Sequence, residues 1–308
     1  MASETVATEP GPLITTDGQV QWAGLLMGPH TDYWIAAEGL TGWEELPGLD
    51  TSDADRPVGH GGWPGSQWAQ ARTVTAQVWF APDPDGGPEA VRAALRALRV
   101  ATAVSDTEEW LAVRLHGETL AVRARVTQRV VPTDRQFTTS CLAKMTLQWK
   151  ASDPRRYETT ERRGTVGLPR PEPGLGWPIT WPLVWGTPRA TGDLAVDNNG
   201  SAPAHPVITF TGPCTRPRLA NRTSGAWLEY DIALTGDDEL VVDTAEGTVL
   251  FNGTASRRHT ATPGSAPEES FTLPPGTSQL SFRAASADAV PADTGAAGVT
   301  VLWRRAEW

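Results

Sequence analysis

Histidines, carboxylates and hydroxyls at catalytic or ligand spacing would be the first sign of chemistry in this 308-residue chain. Five histidines occur, His30, His60, His116, His205 and His259. None lies at ligand spacing from a cysteine or carboxylate, which argues against a zinc centre. His60 sits in the Gly-rich stretch RPVGHGGWPGS. Its glycines neither follow phosphate-loop spacing nor precede a Lys-Ser/Thr pair, so a mobile or interface loop is the better reading. Asp83, Asp85 and Gly86 in PDPDGGPE hint at calcium, but the twelve-residue ligand ladder with its terminal Glu is missing. A turn capping a helix explains them more simply.

Nucleophile chemistry fares no better. No G-x-S-x-G elbow is present, and a pair of catalytic carboxylates stays open because such pairs meet only in space. Asn199, Asn221 and Asn252 each begin an Asn-x-Ser/Thr glycosylation pattern. The N-terminus MASETVATEPGP has no basic-then-apolar leader, so these read as chance matches in turns. In DLAVDNNGSAPAHPVITFTGPC, residues 193 to 214, Asn199-Gly200 reads as a turn tolerating positive φ. His205 beside Pro206 has no evident partner there. The residues point to no enzyme, no metal and no cofactor.

Composition narrows the class. Lys and Arg number 26 against 36 Asp and Glu, for a net charge of -10. Such a balance argues against sequence-specific nucleic-acid binding, which needs a basic face. No apolar run approaches membrane-spanning length, so a soluble chain is expected. Cys141 and Cys214 are far apart and read as buried small apolar residues rather than a disulfide framework. With 14 Trp, 30 Gly and 26 Pro, the chain reads as short strands joined by tight turns.

Strict alternation marks strands at 73–80, 108–115 and 118–131, and in QFTTSCLAKMTLQWKASD from Phe137 to Trp149. Helical spacing predicts one helix over 88–100, with Pro88 and Glu89 in its first turn and Val91, Ala94, Leu95 and Leu98 as its apolar stripe. Arg92, Arg96 and Arg99 fall on its solvated side. Residues 161–190 read as a Pro/Trp-rich connecting arm. In it Trp177, Trp181 and Trp185 share one face of WPITWPLVWG, whose prolines exclude a central strand. That face needs a cover, either a neighbouring domain or another copy. From 191 onward, short strands with turns every eight to twelve residues (235–238, 246–247, 252–253, 274–276) are the pattern of an antiparallel sandwich.

In this order the pieces resemble the distal tail proteins, the siphovirus-type tail components of long-tailed bacteriophages. The likeness lies in GQVQWAGLLMG, the HGG loop at 60–62, Arg72-Thr73-Val74, the single helix and a long hairpin closing on Asp153-Pro154. It continues through the Trp arm, VDNNGSAPAHPVITFTG, PRLANRTSGAWLEYDIAL, ELVVDTAEGTVLFNG and LPPGTSQLSFRA. The Trp content departs from the family's pattern.

The resemblance implies a mainly β fold. Residues 1–160 would form a small split-barrel-like β-barrel with one helix, and 191–308 a galectin-like antiparallel β-sandwich. It also implies a homo-hexameric ring at the virion tail tip, made in the host cytoplasm. The ring would join the tail tube protein to the tail-tip hub protein, meet the tape measure protein and carry receptor-binding proteins, with DNA passing through it. An acidic conduit would let DNA slide. His60, Arg72, Trp177, Trp181 and Trp185 are the candidate interface residues. The alternative from another class is a two-domain carbohydrate-binding protein with Trp stacked on sugar faces.

Overall fold

A computed structural model describes residues 9–83, 86–169, 191–285 and 297–308. The chain divides into two compact units, Met1–Thr159 with Trp308, and Thr160–Glu307.

The first unit begins with β1 (Val20–Trp22), β2 (Leu25–Met27), β3 (Tyr33–Thr41), β4 (Leu49–Thr51), β5 (Ala54–Asp55), β6 (Gly62–Trp63) and β7 (Gln67–Ala69). It continues with β8 (Arg72–Phe80), α1 (Gly87–Ala101), β9 (Glu109–Leu115), β10 (Glu118–Val130), α2 (Arg135–Ser140), β11 (Ala143–Ala151) and β12 (Arg156–Glu158). Antiparallel ladders run in the order β2-β1-β9-β10-β11-β8-β3, with β12 beside β10. Alternation decides which face is covered. Val74, Ala76, Val78 and Phe80 of β8 and Ala143, Met145, Leu147 and Trp149 of β11 are all buried. They share one core with residues of β1, β2, β3, β9, β10 and α1, so the sheet must wrap around it. The wrap stays split. Between β2 and β3 the Gly28 N–H donates to the Tyr33 carbonyl (2.6 Å), and no ladder forms there among the described residues.

Helix α1 lays Ala94 and Leu98 on that core. The Tyr33 hydroxyl donates to the Ala94 carbonyl (2.6 Å) and the Trp22 indole N–H to the Ala101 carbonyl (2.7 Å), fixing its register. One strand reading needs correction. The segment 135–140, which alternation predicts as the start of a strand, is helix α2. Asp134 caps it by accepting from the Phe137 N–H, and Cys141 ends it in the left-handed region at φ 55. Phe137 still packs against Phe80, with ring centroids 6.2 Å apart, which is why the apolar alternation looks unbroken.

The second unit begins with β13 (Arg162–Gly167), β14 (Asp193–Asn198), β15 (Val207–Thr211), β16 (Cys214–Asn221), β17 (Trp227–Glu229) and β18 (Ala233–Leu234). Then come β19 (Glu239–Asp243), β20 (Thr248–Phe251), β21 (Ala255–Ser256), β22 (Gly276–Ala285) and β23 (Gly298–Trp303). One sheet has the order β13-β23-β15-β19-β20-β21 and the other β14-β22-β16-β17, with β18 on β16. Phe210 from the first sheet meets Phe282 from the second at 5.9 Å, so the sheets face each other as a sandwich. Pro217 is tolerated within β16 because the ladder bulges between Thr215 and Arg218, where Arg216 takes φ 52.

Several expectations change here. Strand β13 lies inside the stretch read as connector and forms a ladder with β23. Within the run of short strands expected after 191, Glu268–Ser270 is instead a 3-10 turn that delivers Phe271 and Leu273 to the core. Neither Asn199 nor Gly200 has positive φ. Gly200 is required for another reason, since a Cβ there would lie 1.9 Å from the Ala306 carbonyl oxygen. His205 does have a partner, its Nδ1 lying 3.0 Å from the Thr244 carbonyl. The remainder of the arm, with Trp177, Trp181 and Trp185, lies outside the described residues.

Candidate assembly interface

The chain leaves β3 at Gly42 and returns to the sheet at Arg72, and these two residues govern the excursion between them. Gly42 has φ +81, and a Cβ there would stand 1.9 Å from the Thr73 carbonyl oxygen, so only glycine fits. Arg72 is 1 % exposed. Its Nη1 lies within bonding distance of the carbonyls of Gly42 (2.8 Å), Trp43 (2.9 Å) and Glu45 (2.8 Å), and its Nε donates to the Pro154 carbonyl (2.7 Å). A second arginine completes the clamp. Arg156 pairs with Glu44 at 2.9 Å and stacks 5.8 Å from the centre of the buried Trp43 ring. Burial, and then the neighbouring Arg156 charge, push Arg72 down to about 10, which leaves it charged at neutral pH.

The Asp153-Pro154 pair belongs to the same structure. Pro154 supplies a carbonyl to Arg72, while Asp153 accepts from both the Nε and Nη2 of Arg155 and from the Tyr157 hydroxyl. Burial, then the Asp153 charge, raise Tyr157. The two motifs read separately in the sequence thus meet at the root of one excursion.

Beyond the root, β4 pairs with β7 and β5 with β6 as a two-stranded ribbon. Its turns are tied by the Gly65 N–H on Asp53 (2.7 Å), the Ser66 N–H on Ser52 (2.9 Å) and the Gln70 amide on Asp50 (2.6 Å). Every residue from Gly48 to Trp68 is exposed, including Val58, Trp63 and Trp68. His60 stands at the tip, between Gly59 and Gly61, both with positive φ. The candidates His60 and Arg72 are therefore the tip and root of one element. The ribbon itself has no signal in alternation, because neither of its faces is buried.

Elsewhere the first unit carries an apolar cavity of about 300 Å³ lined by Val20, Ile35, Leu40, Trp43 and Val113 with Glu44 at its edge. It holds no set of groups that could move a proton. Among the described residues no three His, Cys, Asp or Glu side chains gather as a metal set, and no helix is long and apolar enough to cross a membrane. His30 and His116 occupy left-handed turn positions, with φ of 64 and 51. In the second unit the face of Trp227 is stacked by Arg218, whose guanidinium carbon lies 4.8 Å from the ring centre. Arg216 pairs with Glu229 (2.8 Å), and Arg283 with Asp193 (3.2 Å).

The comparisons agree with this architecture. Residues 199–293 match the family model described as "Siphovirus-type tail component, C-terminal domain". The second unit thus carries the C-terminal domain of a siphovirus-type tail component. A likeness in fold extends over both units. The solved Dit protein (gp 19.1) of phage SPP1, described as a paradigm of the hub adsorption apparatus in phages infecting Gram-positive hosts, aligns with a TM-score of 0.59 and 14% identity. The alignment covers 94% of this chain and 98% of that one. Two structures of the phage p2 baseplate in its activated conformation, with Ca and with Sr, align at 7% identity and TM-scores of 0.47. They cover 89% and 92% of this chain and 91% and 96% of theirs. No curated protein sequence matches this chain.

Proposed function

We propose that this chain is a distal tail protein, a structural component of a phage tail tip, six copies of which close into a ring that joins the last ring of the tail tube to the tail-tip hub. The ring also serves as the platform on which receptor-binding proteins are mounted. The observation that carries this reading is the alignment of both units, over nearly the full length of each chain, with a solved hub protein of a phage adsorption apparatus. The first unit makes the ring, and the second unit is the outward-facing sandwich. DNA passes through the ring, and the excess of acids over bases suits such a duct.

Native mass measurement of the full chain, with and without an oligosaccharide panel, tests it. A species of six times the chain mass with no sugar affinity is expected. A stable monomer that binds an oligosaccharide would overturn the ring and favour the carbohydrate-binding reading.

A further inference from the structure

We propose that the ribbon Gly48–Trp68 is a docking arm whose receptor is the arginine-lined face of helix α1 on a second copy of this chain. The inference rests on the ring reading and adds the contact that would hold neighbouring copies together.

Three observations point to it. First, the ribbon has an ordered root and a blade with no buried residue. Two-stranded ribbons are marginal alone in water, and one that exposes Val58, Trp63 and Trp68 gains its stability by being covered. Second, the ribbon is acidic. Within Gly48–Trp68, Asp50, Asp53 and Asp55 stand against a single base, Arg56, which lies over the Trp63 ring at 5.6 Å.

Third, the same chain carries the complementary surface. Arg92, Arg96 and Arg99 are exposed on α1; Arg129 of β10, also exposed, lines the same groove as Arg99, and Arg135 of α2 is exposed two residues before Phe137, which lines it too. The acids among them are already engaged: Glu89 pairs with Arg92 at 3.7 Å, and Asp134 caps α2. Between these arginines lies an open groove of about 270 Å³ walled by Leu95, Leu98, Val131 and Phe137, with Arg99 and Arg129 at its rim. Such a groove suits an aromatic side chain delivered by an acidic strand. Because arm and groove are different patches, the contact is head-to-tail, and a head-to-tail contact repeated around an axis closes into a ring.

Charge exchange tests this on the full chain. Asp53→Lys with Asp55→Lys, and separately Arg96→Glu with Arg99→Glu, should each weaken self-association about 100-fold, as like charges are brought together. Combining all four substitutions should restore assembly, a gain that misfolding cannot imitate. If either pair leaves assembly unchanged while the wild type assembles, the arm proposal falls and the ring reading stands. Failure of the combined variant to recover overturns the direct pairing of arm and helix. A wild type that stays monomeric at every concentration overturns both.

Discussion

In the second unit two turns are fastened to the core by buried asparagines, whereas the longest excursion of the first unit is fastened to the core only at its root. Asn198 and Asn221 are 1% and 0% exposed. The Asn198 amide donates to the carbonyls of Ala202 (2.8 Å) and Leu273 (2.9 Å), and its oxygen accepts from the N–H of Gly200 (3.2 Å). Asn221 likewise accepts from the N–H of Thr223 (3.0 Å) and donates to the Thr272 carbonyl. Gly42–Glu45 receives the same treatment from Arg72 and Arg156, and then the twenty-one residues from Gly48 to Trp68 are tied only across the ribbon, with none of them buried. Fastened loops contribute to stability; a free blade on a fixed root is aimed at something else.

Removing the fixed root should have the largest effect. Arg72→Leu leaves the carbonyls of Gly42, Trp43, Glu45 and Pro154 without their donor and should cost about 3–5 kcal/mol in chemical denaturation, with proteolysis moving to the ribbon root. Arg72→Lys should recover little of this, because an ammonium cannot reproduce the planar fork. Asn198→Ala should cost about 3 kcal/mol by stranding buried backbone groups of the second unit, and unfolding followed in that unit checks it.

Smaller effects sharpen the comparison. Tyr33→Phe removes the bond to Ala94 and should cost about 1 kcal/mol at neutral pH. Burial, then Asp32, raise the Tyr33 hydroxyl from 10.0 to about 12. Folded protein keeps this proton between those values while unfolded chain loses it. Its contribution is therefore complete below pH 10 and declines as pH rises towards 12. Stability curves of wild type and Tyr33→Phe should converge over that interval; parallel curves would contradict the assignment. Trp68→Ala should change stability by less than about 0.5 kcal/mol, since the ring is already 62% exposed. A loss of several kcal/mol would show the ribbon to be part of the core.

The legibility of the fold follows the same division. Alternation in β8, β10 and β11 and the stripe of α1 were readable because one face of each is buried and the other is not. Residues 135–140 look like strand in the sequence because Phe137 continues the alternation of β11, while the cap at Asp134 makes them helix. Gly200 was assigned to positive φ, when close approach of the Ala306 carbonyl is what demands glycine. Arg72 is recognisable as part of a family signature, but its four carbonyl partners come from two distant places in the chain, 42–45 and 154, and no local spacing announces them. The ribbon had no periodic signal at all, and only its Gly-rich tip around His60 drew notice.

The claim that the distal tail protein forms the ring between tube and hub is tested most directly by cryo-electron microscopy of the assembled tail tip. A six-fold layer of this chain, one copy per subunit, between the last tube ring and the hub is the expected result. Its absence from that layer, or its presence there with another symmetry, would contradict the account.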